Sequence, residues 1–302
     1  MSTETLVRVD PSDFAARRGA IEALDAAARA IDGHDALGDS IWRDLDAPGP
    51  DSVGFVIDQR AYVHVARADA HWIAGTIRMP DARDGATTTT LLDAAVTHVR
   101  AHGAGRLECW VFGASDADDA SFAAAGMAKA RELFEMRVEL PLRVTPSWPA
   151  GTTVRAFEPD RDVADWLRVN NLAFAGHPDQ GAWTRATLEP RLAEPWFDPS
   201  LFLLATDTSG LAGFNWLKVH AAREPDPELG EIYVIGVDPR TQGTGLGRAL
   251  AIAGLSTVHD RGVAIGMLFV AADNAGAQSL YGSLGFEIHR TDRAYACDIE
   301  TP

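Results

Sequence analysis

The sequence predicts an α/β chain built as two successive domains, each a mixed, mainly antiparallel sheet flanked by helices. Three observations predict it. Sliding the chain against itself by 159 residues places Pro80 on Pro239, Leu91 on Leu250, Gly103 on Gly262 and Gly126 on Gly285 without a gap, as expected if one unit was duplicated. The 302 residues suit two domains of roughly 150 residues each. In both halves extended segments give way to an alternation of strand, helix and strand, the pattern of a mixed sheet covered by helices.

The C-terminal half shows the elements most clearly. Residues 152–157 read as a short strand. Residues 163–174 read as a helix, with Val163, Trp166, Leu167 and Phe174 available for an inner face. Residues 201–205 and 211–219 read as strands joined by the turn at 207–210, and residues 231–237 form a third, ended by Asp238-Pro239. Leu246, Leu250, Ala253 and Val258 recur at helical spacing within residues 245–259. An apolar strand at 264–271, a short helix at 275–284 stopped by Gly285 and a closing hairpin or strand pair at 287–299 complete the half. The N-terminal half repeats this order: extended segment, Pro, loop, helix, Gly, strand, and short helix closed by Gly. Pro141, Pro146, Pro149 and Gly151 suit an extended connector. The predicted division is therefore 1–140, a linker at 141–151, and 152–302.

Charge and composition exclude several functions. With 27 Lys+Arg against 43 Asp+Glu, the net charge is −16, which disfavours a nucleic-acid partner held by bulk phosphate neutralisation. No run approaches the roughly 18 apolar residues of a membrane span, and the first residues lack the basic and apolar regions of a signal peptide. A cytoplasmic protein without a membrane partner is expected. Cys109 and Cys297 have no metal or redox spacing and are expected as buried free thiols, with no metal site. The eight tryptophans are expected in the core. Trp183, beside the segment at Asp179, is the exception and is expected to offer a sugar platform.

The sharpest local feature is Gln242-Gly243-Thr244-Gly245-Leu246-Gly247, set between a strand and a helix. Glycines let a ligand approach the backbone, and the first N–H groups of a helix lack internal partners, so this loop can hold phosphate oxygens without many lysines. It is not a Walker loop, because no Gly-Lys-Ser/Thr follows, nor a clean dinucleotide fingerprint.

The ordered set of strand, Val237-Asp238-Pro239, Gln242-x-x-Gly245-x-Gly247, helix, strand, Asn274, Tyr281 and Gly285-Phe286 resembles the GNAT acetyltransferase superfamily. More narrowly, the run from Asn170 to Gly181, then Lys218-Val219-His220, then the run from Glu231 to Gly247 resemble the mycothiol synthase family of tandem GNAT proteins. The close likeness covers about residues 150–300. It implies two tandem GNAT domains and acetyl transfer from acetyl-CoA, the cosubstrate, to the cysteinyl amine of desacetylmycothiol, by a monomer working on small molecules.

The resemblance further implies that Ile235, Gly236 and Val237 line the acetyl-pantetheine arm and that Gln242, Gly243, Thr244, Gly245, Leu246, Gly247 and Arg248 wrap the pyrophosphate. Asn274, Ala275, Gly276, Ala277, Gln278 and Ser279 would border the cofactor on its other side. Asp39, Asp179, Lys218 and Glu231 match positions that contact the substrate, although residues 33–40 depart from the family pattern. Phe269 stands where the family has a substrate-touching tyrosine, so that contact lacks its hydroxyl.

An ammonium has no lone pair, so an amine substrate must lose a proton before it attacks a thioester. Glu231 is the candidate base. Backbone N–H groups near Val237 would stabilise the oxyanion, and the Tyr281 hydroxyl would protonate the departing thiolate. On the 159-residue correspondence Trp72 replaces Glu231, Phe122 replaces Tyr281, and Arg83-Asp84-Gly85-Ala86-Thr87-Thr88 replaces the phosphate loop. The N-terminal domain is expected to be degenerate, with weak or absent acetyl-CoA binding. Two other functions remain open on the residues alone: a tandem GNAT acting on another small amine, and a non-catalytic acyl-CoA-binding module.

Overall fold

The computed structural model describes residues 5–68, 71–176 and 180–301. Its elements are, in chain order, β1 (Leu6–Val9), α1 (Phe14–Asp32), α2 (Asp39–Asp46), β2 (Val53–Ile57), β3 (Ala61–Ala68), β4 (His71–Arg78), α3 (Gly85–Ala101), β5 (Gly105–Val111), α4 (Asp116–Ala124) and β6 (Ala128–Glu139), followed by β7 (Thr153–Ala156), α5 (Pro159–Ala173), α6 (Arg185–Leu192), β8 (Phe202–Asp207), β9 (Gly210–His220), β10 (Leu229–Val237), α7 (Leu246–His259), β11 (Ile265–Ala271), α8 (Ala275–Gly282) and β12 (Glu287–Ile299). The chain forms two compact units. Unit 1 comprises Met1–Phe134, Ala271–Asp273 and Arg290–Pro302, and unit 2 comprises Glu135–Val270 and Asn274–His289.

The expected fold class is met in both units. In unit 1, β1 to β4 pair antiparallel in sequence order, β4 and β5 pair parallel, and β5 pairs antiparallel with β12. Unit 2 repeats the scheme: β7 to β10 pair antiparallel in order, and β10 pairs parallel with β11. The parallel step requires a crossover, supplied by α3 in unit 1 and α7 in unit 2. β6 gives residues to both units, bordering β12 in unit 1 and β11 in unit 2.

Residues 287–299 depart from the expected hairpin or strand pair. They form one strand of 13 residues, because the run EIHRTDRAYACDI contains no Gly, Pro or Asn at which a tight turn could form. Its partner is β5, with Tyr295 opposite Cys109, and Tyr295 stacks on Phe122 with centroids 4.2 Å apart.

Each unit has its own apolar core. In unit 1, Leu91, Leu92, Ala95 and Val99 of α3 pack over Val63, Val65 and Trp72. In unit 2, Trp166 of α5 makes edge contacts with Trp183, Phe202, Phe214 and Trp216. Trp183 is 5% exposed and belongs to this core, so it is not the expected sugar platform; its indole fills the space beneath Trp166. Cys109 is buried, but Cys297 is only partly so; it lies on the same face of β12 as Tyr295 and Ile299 and packs at the margin of the unit 1 core. Helix α7 lies close against the sheet. A Cβ at Gly230 would stand 2.7 Å from a Val258 methyl, so only glycine permits that approach. Buried Asn215 donates from Nδ2 to the Leu250 carbonyl at 2.9 Å and fixes the helix on β9.

Candidate active site

The site of unit 2 forms where β10 and β11 part. Their parallel pairing covers Leu229–Glu231 against Ile265–Met267, while the strands run on to Val237 and Ala271. Between Ile232 and Val234 the register of β10 against β9 shifts, the mark of a bulge, which turns a strand and re-aims its side chains. Beyond Glu231 the β10 backbone is paired with β9 up to Val237 opposite Gly213. Ile235, Gly236 and Val237 thus lie where β10 no longer shares a ladder with β11.

The loop after β10 is held at its root and open at its tip. Asp238 is buried; its carboxylate accepts from Arg240 N at 3.1 Å and from Arg168 Nη1 at 3.1 Å. Burial raises the acid's pKa, but these bonds outweigh it and hold the carboxyl below its usual range. Gly243 and Gly245 adopt left-handed φ values of 77° and 88°, a region unfavourable for residues with a Cβ. Gly245 is the N-cap of α7, and no side chain caps that terminus. Its free N–H groups and positive dipole end therefore remain for an anion. Gln242, Gly243, Thr244 and Gly245 are exposed, Leu246 turns into the core, and Arg248 donates to Ser283 Oγ at 2.5 Å. These features fit the diphosphate of acetyl-CoA.

Helix α8 borders the same region. Asn274 caps it, its Oδ1 accepting from Ala277 N at 3.0 Å, so this side-chain oxygen is already in use. Ala275, Gly276 and Ser279 are exposed, Ala277 and Gln278 partly so. Tyr281 points inward and packs edge-on against Phe286 at 5.6 Å. Burial alone pushes its phenol up to about 12, so it keeps its proton at neutral pH.

Glu231 lies opposite Lys218 of β9 on one side and opposite Met267 of β11 on the other. Gly230 faces α7, so Glu231 presents to the opposite face of the sheet. It is 7% exposed, and its Oε2 receives His220 Nε2 at 2.7 Å. Lys218 Nζ sits 4.9 Å above the Trp196 ring and 6.0 Å from Tyr233. Phe269 is 41% exposed, two residues beyond Met267 and so on the same face of β11. Glu231, Lys218 and Phe269 therefore belong to unit 2 on three successive strands. Asp39 belongs to unit 1, exposed in the first turn of α2. Asp179 lies outside the described residues.

Sequence reasoning missed two side chains here. His220 stood in the Lys218-Val219-His220 run, and its strand position two residues from Lys218 was the available signal. Trp196 had none, because its approach to Lys218 arises from the fold of the segment between α6 and β8.

The corresponding region of unit 1 is filled. On the 159-residue correspondence α3 starts two positions earlier than α7, winding part of the loop into helix. Asp84 caps it, accepting from Thr87 N at 2.9 Å and Thr87 Oγ1 at 2.8 Å, and these bonds hold its carboxyl below the usual range. Arg78 donates to Asp118 at 2.7 Å and to Thr88 at 3.3 Å, with its guanidinium 5.3 Å from the Phe122 ring. Among the described residues no three metal-ligating groups cluster, and no helix is long and apolar enough to cross a membrane.

Residues 164–286 match the acetyltransferase (GNAT) family, and a crystal structure of a GCN5-related N-acetyltransferase from Sphaerobacter thermophilus has the same fold, with a TM-score of 0.76 over 99% of this chain and 97% of that one at 22% identity. The family match and the shared fold thus define a GNAT acetyltransferase. A mycothiol acetyltransferase of Thermomonospora curvata is 48% identical over 65% of this chain, a match that spans 65% of that protein's length. One from Mycolicibacterium gilvum is 40% identical over 93% of this chain and 95% of its own. The chain belongs to the mycothiol acetyltransferase family.

Proposed function

We propose that this acetyltransferase moves the acetyl group of acetyl-CoA to the cysteinyl amine of desacetylmycothiol, the last step of mycothiol biosynthesis, at a single site in unit 2. The observation that carries the reading is the pairing, in one unit, of an uncapped glycine-rich helix start with a buried carboxylate facing a lysine. The functional division follows: residues 1–140 as the degenerate domain, 141–151 as linker and 152–302 as the catalytic domain. This reading needs no metal, nucleic acid or membrane, and it places a monomer in the cytoplasm, beside the acetyl-CoA pool.

When bound, acetyl-CoA supplies the activated thioester carbonyl. Residues 242–248 hold its diphosphate on the α7 terminus, and the backbone of Ile235, Gly236 and Val237 aligns the pantetheine arm. Lys218, Phe269 and Asp179 orient the amine substrate. Glu231 accepts the ammonium proton, directly or through one water, which frees the nitrogen lone pair for attack. Backbone N–H groups near Val237 stabilise the oxyanion, and Tyr281, protonated because it is buried, gives its proton to the leaving sulfur.

The test is a competition among amines. Purified full-length chain with acetyl-CoA is presented with desacetylmycothiol, an aminoglycoside and simple cysteine amides, and product is identified by mass. Desacetylmycothiol should show the highest kcat/KM by at least about 100-fold. Faster turnover of another amine would transfer the function to that substrate, and no transfer to any amine would favour an acyl-CoA-binding role.

A further inference from the structure

Resting on the reading of Glu231 as base, we propose that His220 is a positioning residue that selects which carboxylate oxygen receives the substrate proton. The two side chains meet across adjacent strands, His220 Nε2 at 2.7 Å from Glu231 Oε2. An ionised carboxylate only accepts, so Nε2 carries the hydrogen and donates it. Among the described residues Glu231 Oε1 has no side-chain or backbone partner, and neither has His220 Nδ1. One oxygen is thus tied down and the other left free on a carboxylate whose side chain is 10% exposed, against 34% for the imidazole.

The bond is not needed to join the strands. β9 and β10 are already paired from Leu229 opposite His220 to Val237 opposite Gly213. What His220 adds is control of one rotation. Without it the Glu231 carboxyl turns about its terminal bond, a broad two-fold torsion with no steric preference for one orientation. With it, Oε1 keeps a fixed direction, and the proton balance stays simple. The amine proton moves to Oε1, Oε2 continues to accept from Nε2–H, and His220 neither gains nor loses a proton. Misdirection of a reacting group by about 1 Å costs up to roughly 100-fold in rate, so loss of this restraint should be visible in kcat.

The experiment compares His220→Phe, His220→Asn and His220→Gln in the full chain, with desacetylmycothiol and acetyl-CoA as substrates. Phe keeps the ring shape without a donor, Asn is polar but falls short of Oε2, and Gln places an amide N–H near the position of Nε2. His220→Phe and His220→Asn should lower kcat about 10-fold with the KM for acetyl-CoA unchanged, and His220→Gln should recover to within about threefold of the parent. In a Glu231→Gln background, His220→Phe should cause no further loss, since the carboxylate it aims is gone. Calorimetry with acetyl-CoA confirms that each variant is folded. Parental kcat in both His220→Phe and His220→Asn would overturn the proposal, as would a His220→Gln rate as low as theirs or an undiminished His220→Phe effect in the Glu231→Gln background. If Glu231→Gln alone runs at the parental rate, the base assignment fails first and this inference falls with it.

Discussion

Arg78 and Asp118 form a buried ion pair in unit 1, Nη2 to Oδ1 at 2.7 Å, at the two positions that correspond to Val237 and Ala277 of unit 2. In unit 2 these positions flank the cofactor region of the proposal. In unit 1 the guanidinium spans the same interval and also reaches Thr88, while Asp84 takes the α3 terminus. An anion arriving there would have to break a buried pair, and leaving one partner uncompensated costs about 3–5 kcal/mol. Calorimetric titration of the full chain with acetyl-CoA should therefore give one site. A stoichiometry of two would show that unit 1 opens.

The α7 terminus is the next test. Gly245 has a left-handed φ of 88° and no side chain where the diphosphate is proposed to lie. Gly245→Asp introduces both backbone strain and a negative charge at that point. Acetyl-CoA affinity should fall by at least about 100-fold, while thermal stability changes by about 1 kcal/mol. Binding as tight as the parent's in calorimetry would remove the loop from the cofactor site.

Glu231→Gln preserves shape and a partner for His220 but removes basicity. Turnover at pH 7 should fall by about 10²- to 10⁴-fold. Because the unprotonated fraction of the substrate amine grows with pH, the variant should regain activity as pH rises to 9 more steeply than the parent does. A flat ratio between the two over that range would dismiss the base role.

How much of this was legible in the sequence depends on distance along the chain. The strand, glycine loop and α7 helix are contiguous, and the left-handed glycines, the Asp-Pro stop and the apolar helical spacing all act locally, so residues 229–259 read nearly as they fold. Strand β12 does not. Its alternation marks a strand but carries no record of which edge it joins, and its pairing with β5 through Tyr295 and Cys109 depends on the assembled sheet. The Trp183 ring looks the same in sequence whether it faces solvent or, as here, Trp166. Likewise, Arg78 and Asp118 lie 40 residues apart, so only the loss of the glycines hinted that the unit 1 site was closed, not what closes it.

Asp162 ties the end of β7 to the start of α5. Its buried carboxylate takes Arg155 Nη1 and Nη2 at 2.5 and 2.7 Å and the Glu158 N–H at 2.8 Å. Burial pushes its pKa up, but the Arg155 and Glu158 bonds prevail and hold it at about 2, against 3.8 for a free carboxyl. A depressed folded-state pKa adds stability above the unfolded value and loses it as pH falls toward the folded one. Asp162→Asn should thus cost about 2 kcal/mol at pH 7. The gap in Tm from the parent should narrow below pH 4 and nearly close at pH 2. A gap independent of pH would show that the effect is packing and not charge.

The last comparison sets Tyr281 against Phe122, its counterpart in unit 1. Tyr281 is buried with a phenol raised to about 12, so it is a proton donor across the working pH range. In the proposed mechanism that proton goes to the departing thiolate, which carries full charge only late in the reaction. Tyr281→Phe should therefore lower kcat about 10- to 100-fold and leave acetyl-CoA affinity nearly unchanged, the signature of an interaction made in the transition state. Phe122 is fully buried, stacked on Tyr295 and close to Arg78. Phe122→Tyr forces a hydroxyl into that packing, so it should destabilise the chain by about 1–3 kcal/mol without adding a second activity. Rate assays of each variant under saturating acetyl-CoA, with Tm measured alongside, separate the two effects. Acetyl transfer that survives Tyr281→Phe combined with Glu231→Gln, or that requires Phe122, would move the chemistry away from unit 2.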